Sequence, residues 1–448
     1  MMSIPDSQPP SSTAPTLWNP AAETMPRAER AALQLERLRG LVTRAARVPF
    51  YRDQFAHHEI GPHSIRSLDD IRRLPFTTKS DMRRHHPLGL LAVPRKELAR
   101  IHGSSGTTGT PTFVGYTARD LDIWSELCAR FLVAGGLRPE HTVQVAFGYG
   151  LFTGGFGLHY GIEKVGATVI PAAAGNTRRQ IDIMRNLAPE VLICTPSYAL
   201  TIADTARDLG IDPRTLPIRY AHLGGEPWTE DMRREIEEQL DIAAFNNYGL
   251  SEIIGPGVSG ECQAHDGMHI QEDHFLVECL DPETLEPVPE GEPGELVITN
   301  LTREAMPMIR YRTRDIARIY REPCTCGRTS IRMSRVTGRT DDMLIIRGVN
   351  VFPSQIEEAL LRVEGTTPHY LIEVSRPGTL DEVHVKVEIH PEIFSDRMDR
   401  MQALCERISR EIHTVAGIRA HVDLVEPRSI ERFVGKAKRV LDKRNLKD

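Results

Sequence analysis

Along residues 26–48 the apolar positions Leu35, Leu38, Val42 and Ala45 recur at helical spacing with Arg and Glu between them, a pattern that predicts an amphipathic helix. Similar patterns begin near Asp120, Arg178, Tyr198 and Glu230. Between them lie short apolar runs at 143–147, 167–170, 191–194, 220–223 and 243–247, each closed by Gly, Pro or a polar cluster. Strands alternating with helices predict an α/β domain built on a mostly parallel sheet. Ligands of such sheets gather at the carboxyl ends of the strands. There the chain carries Gly148-Tyr149-Gly150, Thr195-Pro196-Ser197, Gly224-Gly225-Glu226 and Tyr248-Gly249-Leu250-Ser251-Glu252.

After about residue 260 the alternation gives way to hairpin-like β segments with turns at Asp281-Pro282 and 287–294. A second change falls at 338–342. Beyond it a strand at 343–346, a helix at 353–363, strands at 370–374 and 383–389, a helix at about 396–415 and a strand at 420–424 predict a small α+β unit. The expected organisation is a loose tail over 1–20, a large domain over 21–340 and a mobile unit over 341–448.

The composition, 40% hydrophobic and 26% charged over 448 residues, fits a globular enzyme with substantial cores. A net charge of −6 argues against nucleic-acid binding. No apolar run approaches the roughly 20 residues of a membrane span, and the Pro- and Ser-rich start lacks the regions of a secretion signal, so a cytoplasmic setting is expected. Four of the cysteines, Cys128, Cys194, Cys279 and Cys405, sit among apolar neighbours and read as small buried hydrophobes. Cys324 and Cys326 form a CxC turn, and Cys262 lies upstream near His265 and His269. Together they make a Cys3His set of the kind that binds structural zinc, with His269 or His265 as the fourth ligand; reduced thiols without metal are the alternative.

The most distinctive chemistry is the run Ser104-Ser105-Gly106-Thr107-Thr108-Gly109-Thr110-Pro111-Thr112 between two strand-like segments. Its hydroxyls and glycines suit a phosphate-gripping loop, although alone it also suits an ordinary surface turn. It matches neither the P-loop nor the dinucleotide fingerprint.

This loop, Tyr248-Gly249-Leu250-Ser251-Glu252, Tyr311-Arg312-Thr313-Arg314-Asp315, Gly338-Arg339-Thr340-Asp341-Asp342 and Gly435-Lys436-Ala437-Lys438-Arg439 occur in the order of the adenylate-forming acyl-CoA synthetases. With Leu17-Trp18-Asn19-Pro20, Phe147-Gly148-Tyr149-Gly150-Leu151-Phe152, Gly225-Glu226-Pro227-Trp228 and Arg347-Gly348-Val349-Asn350-Val351-Phe352-Pro353, the chain closely resembles the phenylacetate-CoA ligases. The resemblance implies an ATP- and Mg2+-dependent aryl-CoA ligase that forms an acyl adenylate, releases pyrophosphate and passes the acyl group to coenzyme A. A substituted benzoate or anthranilate type of acid, or transfer to an amine or a separate carrier protein, is the competing reading.

By the same resemblance the 104–109 loop cradles the β- and γ-phosphates, Glu252 helps to place Mg2+ and Asp315 takes both ribose hydroxyls. Gly225, Glu226, Asn247, Tyr248, Gly249, Ser251 and Arg339 complete the nucleotide set. Lys436 neutralises charge at the α-phosphate, the small unit swivels about Asp341, and a homodimer is expected. The acid pocket is assigned to Phe147, Tyr149, Phe152, Gly224 and Ile254, with aromatic walls and no charged partner for an amino group. Two departures stand out. Many members carry a lysine in the phosphate loop where this chain has Thr110, and many read Gly-Ala-Glu-Pro-Trp where this chain reads Gly224-Gly225-Glu226-Pro227-Trp228.

Overall fold

The computed structural model of the chain describes residues 16–104, 111–347, 349–377, 380–389, 398–431 and 439–444. A nine-stranded sheet organises the large domain. From one edge, Thr168–Ile170, Thr142–Val145, Val191–Cys194, Tyr220–Gly224 and Ala243–Leu250 run parallel. Gly255–Glu261, Met268–Ile270, Arg332–Met333 and Ile319–Tyr320 continue it antiparallel. The parallel half is the alternation predicted above, and the helices Ala118–Ala134, Thr177–Leu187, Pro196–Asp208 and Glu230–Leu240 fall at the predicted starts. A second, antiparallel sheet joins Phe275–Leu280, Gly294–Asn300, Met308–Ala317 and Gly338–Arg339.

The small unit has a four-stranded sheet in the order His421–Val425, Glu382–Ile389, Thr366–Ser375, Val440–Asp442. With the helices Pro353–Leu361 and Met398–Ala416 it encloses an apolar core of its own, built on Ile356, Leu360, Ile372, Val385, Ile408 and Ile412. Contacts between the units are both polar and apolar: His369 Nε2 lies 3.3 Å from Asp204 Oδ2, Arg335 Nη2 lies 3.6 Å from Glu358 Oε2, and Leu361 packs against the core of the large domain.

Three local expectations need correction. The helix Arg27–Ala45 buries Leu38, Val42 and Ala45 as expected, yet Leu35 is only half-buried while Arg30 and Gln34 are buried. Their burial is tolerated because Arg30 donates to Thr329 O and Oγ1, both at 2.8 Å, and pairs with Glu272, while Gln34 donates to Glu272 O at 2.8 Å. Residues 16–20 are not loose. Trp18 Nε1 and Asn19 Nδ2 donate to the two Glu126 oxygens at 2.8 and 3.0 Å, and Arg328 donates to Thr16 O at 2.7 Å.

The third is a helix that the hydrophobic pattern does not announce, Thr153–Val165. Its buried face interleaves the apolar Leu158, Ile162 and Val165 with the glycines Gly154, Gly157 and Gly161. The glycines let the helix approach Ala118–Ala134 so closely that a Cβ on Gly157 would lie 2.4 Å from the Trp124 ring and one on Gly161 2.4 Å from Cys128 Cβ.

A buried arginine then ties this framework to the loop-bearing hairpin. The strands Arg100–Gly103 and Phe113–Tyr116 pair antiparallel on either side of the Ser/Thr/Gly loop. Arg303, 1% exposed, donates to Glu252 O at 2.8 Å, Ile253 O at 2.7 Å and Gly115 O at 3.1 Å, and its guanidinium lies 4.5 Å above the Tyr116 ring. Tyr116 in turn donates to Ile254 O at 2.9 Å.

These contacts set the stability of three variants. Gly157→Ala should cost about 1–3 kcal/mol in equilibrium unfolding because the methyl has no space. Gly40→Ala, whose Cβ would meet only the flexible end of Arg44 at 3.4 Å, should be neutral or stabilising by up to about 1 kcal/mol. Arg303→Met should cost at least about 2 kcal/mol, since it strips donors from buried carbonyls; an unchanged unfolding midpoint would remove Arg303 from this role.

Candidate active site

The candidate residues converge at the carboxyl ends of the parallel strands. Ser104 closes the base of its loop: its N–H donates to Thr112 O at 2.9 Å and its hydroxyl oxygen accepts from Thr112 N at 3.1 Å. Ser105, Gly106, Thr107, Thr108 and Gly109 lie outside the described residues, as does Lys436. Arg439, three positions after Lys436, anchors the chain there, with Nη1 donating to Pro368 O at 2.7 Å and the guanidinium 4.5 Å above Tyr370.

Gly224 ends its strand opposite Asn247, whose Nδ2 donates to Leu223 O at 2.8 Å. Gly225 follows with φ +86°, and Glu226 Oε1 accepts from Ser197 N at 2.8 Å. At Gly249 the backbone of the neighbouring strand passes so near that a Cβ would lie 2.0 Å from Gly255 O; only glycine fits. Ser251 Oγ shares a 2.9 Å hydrogen bond with Thr153 Oγ1, which couples the turn before Glu252 to the glycine-faced helix. Glu252 itself is buried, and the ammonium of Lys79 stands 3.9 Å from its Oε1.

Asp315 is the centre of the best-defined cluster. Tyr248 OH donates to its Oδ2 at 2.6 Å and Arg339 Nη1 to its Oδ1 at 2.8 Å. Burial, and next the Asp315 carboxylate, hold the Tyr248 phenol well above its ordinary range, so it stays a donor. Arg339 also donates to Asp341 at 2.9 and 3.1 Å. One guanidinium therefore joins the Asp315 carboxylate to Asp341, which is exposed at the boundary between the two units.

Of the expected pocket residues, Phe147 and Phe152 have ring centroids 6.2 Å apart, and Tyr149 meets the edge of Phe156 at 5.2 Å. Tyr149 OH lies 3.2 Å from His159 Nδ1, a partner contributed by the unforeseen helix. Ile254 is 2% exposed and packs within the main core. A Cβ on Gly225 would rest 3.6 Å from the Phe147 ring, so the missing methyl leaves open space beside that ring.

The ligand atoms of Cys262, His269, Cys324 and Cys326 all lie within 4.8 Å of one another. Cys262 Sγ and Cys324 Sγ are 3.8 Å apart, and Cys326 Sγ is 3.3 Å from His269 Nε2. His269 Nδ1 meets Ser330 Oγ at 3.2 Å, which orients the ring. His265 is engaged elsewhere, stacked on Phe245 at 4.7 Å with Nδ1 3.0 Å from Arg233 Nη1.

Lys79, Arg303, Thr153 and His159 carry no mark in the sequence that would single them out. Lys79 and Arg303 are isolated cations far along the chain from Glu252, and no local pattern distinguishes them. The signal that could have flagged Lys79 is its place after Thr77-Thr78, where a cap fixes a helix start.

A sequence-family profile described as AMP-binding enzyme matches residues 65–302, and one described as AMP-binding enzyme C-terminal domain matches 348–444. The chain is 51% identical to a phenylacetate-coenzyme A ligase of Thermus thermophilus, over 96% of this chain and 100% of that one. It is 47% identical to one of Escherichia coli, over 93% and 96%. Among solved structures, 2-hydroxyisobutyryl-CoA ligase in its postadenylation state with 2-HIB-AMP is 31% identical with a TM-score of 0.91, covering 98% of this chain and 95% of that one. The same ligase in its thioesterification state, with 2-HIB-AMP and CoA, is 32% identical with a TM-score of 0.71, covering 98% and 94%. Among the described residues no helix is long and apolar enough to cross a membrane. The motifs, the fold and these likenesses agree: the chain belongs to the AMP-binding enzyme family, among the phenylacetate-coenzyme A ligases.

Proposed function

We propose that this chain is an ATP- and Mg2+-dependent aryl-CoA ligase that activates an aryl acid as its acyl adenylate and then forms the CoA thioester. The observation that carries the reading is the likeness, over 98% of the chain, to a CoA ligase holding its acyl adenylate. The higher TM-score to the postadenylation state than to the thioesterification state, 0.91 against 0.71, supports assigning the present arrangement of the two units to the adenylating half of the cycle.

Each residue has work suited to its surroundings. The Asp315 carboxylate, oriented by Tyr248 and Arg339, is an acceptor suited to two vicinal ribose hydroxyls. Glu252 offers a hard oxygen ligand suited to Mg2+, which when bound neutralises phosphate charge. The 104–109 loop, with Gly225, Glu226, Asn247 and Ser251 around it, would hold the rest of the nucleotide. Lys436 would meet the charge that grows at the α-phosphate. A swing of the small unit about Asp341 would break and remake the Arg339–Asp341 contact while withdrawing Lys436 for the thiol to enter. Phenylacetate is the default acid; the space beside Phe147 favours a ring that carries a substituent. A cytoplasmic setting and a homodimer belong to the same reading on the strength of the family resemblance.

The Cys3His cluster fits structural zinc. A tetrahedral ion with arms of about 2.3 Å to sulfur has edges of about 3.8 Å, and the cluster supplies three sulfurs and one nitrogen at such spacings. All four positions would be filled by protein, so the ion would clip the segment around Cys324 to the sheet and take no part in the reaction.

Purified protein given ATP, Mg2+ and a panel of aryl acids should yield acyl-AMP and pyrophosphate without CoA, and acyl-CoA and AMP with it, by mass analysis. No adenylate with any acid would sink the proposal. An adenylate that never becomes a thioester would move the acceptor role to a separate carrier protein. Lys436→Ala should slow adenylate formation by roughly 10²–10³-fold while leaving the unfolding midpoint unchanged. Elemental analysis should find one zinc per chain, lost together with stability in Cys326→Ala; metal-free protein of full stability would refute the zinc site.

A further inference from the structure

We propose that Lys79 is a phosphate-binding residue, supplying to the β- and γ-phosphates of ATP the positive charge that the loop, with Thr110, does not carry. The inference rests on the nucleotide reading above and adds a residue to it.

The placement of Lys79 is over-determined by its neighbours. Thr77 forms a parallel bridge with Tyr311, in the strand that carries Asp315. Its N–H donates to Arg310 O at 3.2 Å, its carbonyl accepts from Arg312 N at 3.0 Å, and its hydroxyl donates to Ile309 O at 2.7 Å. Thr78 then caps the helix Lys79–Arg84: its hydroxyl donates to Asp81 Oδ2 at 2.6 Å and accepts from Asp81 N at 3.2 Å. Lys79 therefore leaves a backbone fixed to the same strand as the ribose-binding carboxylate.

What it faces is a carboxylate in an unusual state. The Glu252 side chain is 8% exposed, yet among the described residues no N–H or O–H donates to it; its one partner is the Lys79 ammonium at 3.9 Å. A buried charge without hydrogen bonds is costly unless a ligand completes it. The ammonium of Lys79, whose side chain is 37% exposed, likewise makes no hydrogen bond among the described residues. The two groups thus present a loose pair of opposite charges at one corner. A triphosphate that arrives with a divalent cation also carries both signs, and it would replace one loose pair by two tight ones, carboxylate to metal and ammonium to phosphate oxygen. The corner is also tied to the strand Phe113–Tyr116, because Arg303 binds Glu252 O and Gly115 O together. A mere surface ion pair would contribute little and would not require this fixed backbone.

The test uses Lys79→Gln and Lys79→Arg in the full chain. Calorimetric binding of ATP with Mg2+ should weaken roughly 10–100-fold in Lys79→Gln, the effect of one charged hydrogen bond, while binding of AMP, which lacks the outer phosphates, stays within twofold. The KM for ATP in pyrophosphate exchange should rise similarly, with the KM for the aryl acid unchanged. Thioester formation from supplied acyl adenylate should match the parent. Lys79→Arg should recover most of the ATP affinity, and both variants should keep the parent melting curve. ATP and AMP affinities that are both unchanged, or that fall equally, would overturn the role of Lys79. These binding arms are independent of turnover, so a parent protein that binds ATP but activates no acid would sink the ligase reading alone. A parent that binds no ATP would sink both.

Discussion

The site depends on a single buried cation. Arg303 is held by carbonyl oxygens of Gly115, Glu252 and Ile253 and by the Tyr116 ring, with no carboxylate bound to it among the described residues. Those acceptors belong to segments distant in sequence, the hairpin on either side of the Ser/Thr/Gly loop and the turn that carries Glu252. A planar guanidinium can bridge both because its donors point in fixed directions. Through it, two pieces of backbone far apart in the chain are kept in register.

A second frame complements the first. Tyr248, Asp315, Arg339 and Asp341 form a chain of hydrogen bonds from the end of the parallel sheet to the boundary of the small unit. Tyr248 remains protonated because burial and the neighbouring carboxylate both oppose its ionisation. The Asp315 carboxylate is thus oriented from two sides, and in the role proposed for it little side-chain freedom would remain to be lost on binding.

Most of the fold could be read in the chain because its parallel strands are short apolar runs between amphipathic helices, each signalling its own period. The motif residues were legible for a different reason: hydroxyls, glycines and carboxylates rarely fall into so long a fixed order by chance. What stayed hidden lacked a local signature. In the Thr153–Val165 helix the apolar stripe of Leu158, Ile162 and Val165 is diluted by glycines, because at Gly157 and Gly161 the contact with Trp124 and Cys128 leaves no room for a side chain. Arg30 and Gln34 look like solvent-facing positions, and only the distant Glu272 and Thr329 account for their burial. The choice of His269 over His265 depended on which ring the sheet turned toward Cys326, a matter of strand register that spacing does not encode.

The self-contained core of the small unit has a further consequence. Its own apolar residues are mostly satisfied internally, and what crosses to the large domain is a mixture of ion pairs, such as His369 with Asp204, and apolar contact, with Leu361 packed on the core of the large domain. The swing proposed above would break those ion pairs, and so should respond to ionic strength. Evolution could retune the balance between arrangements by editing a few surface charges, without disturbing either core.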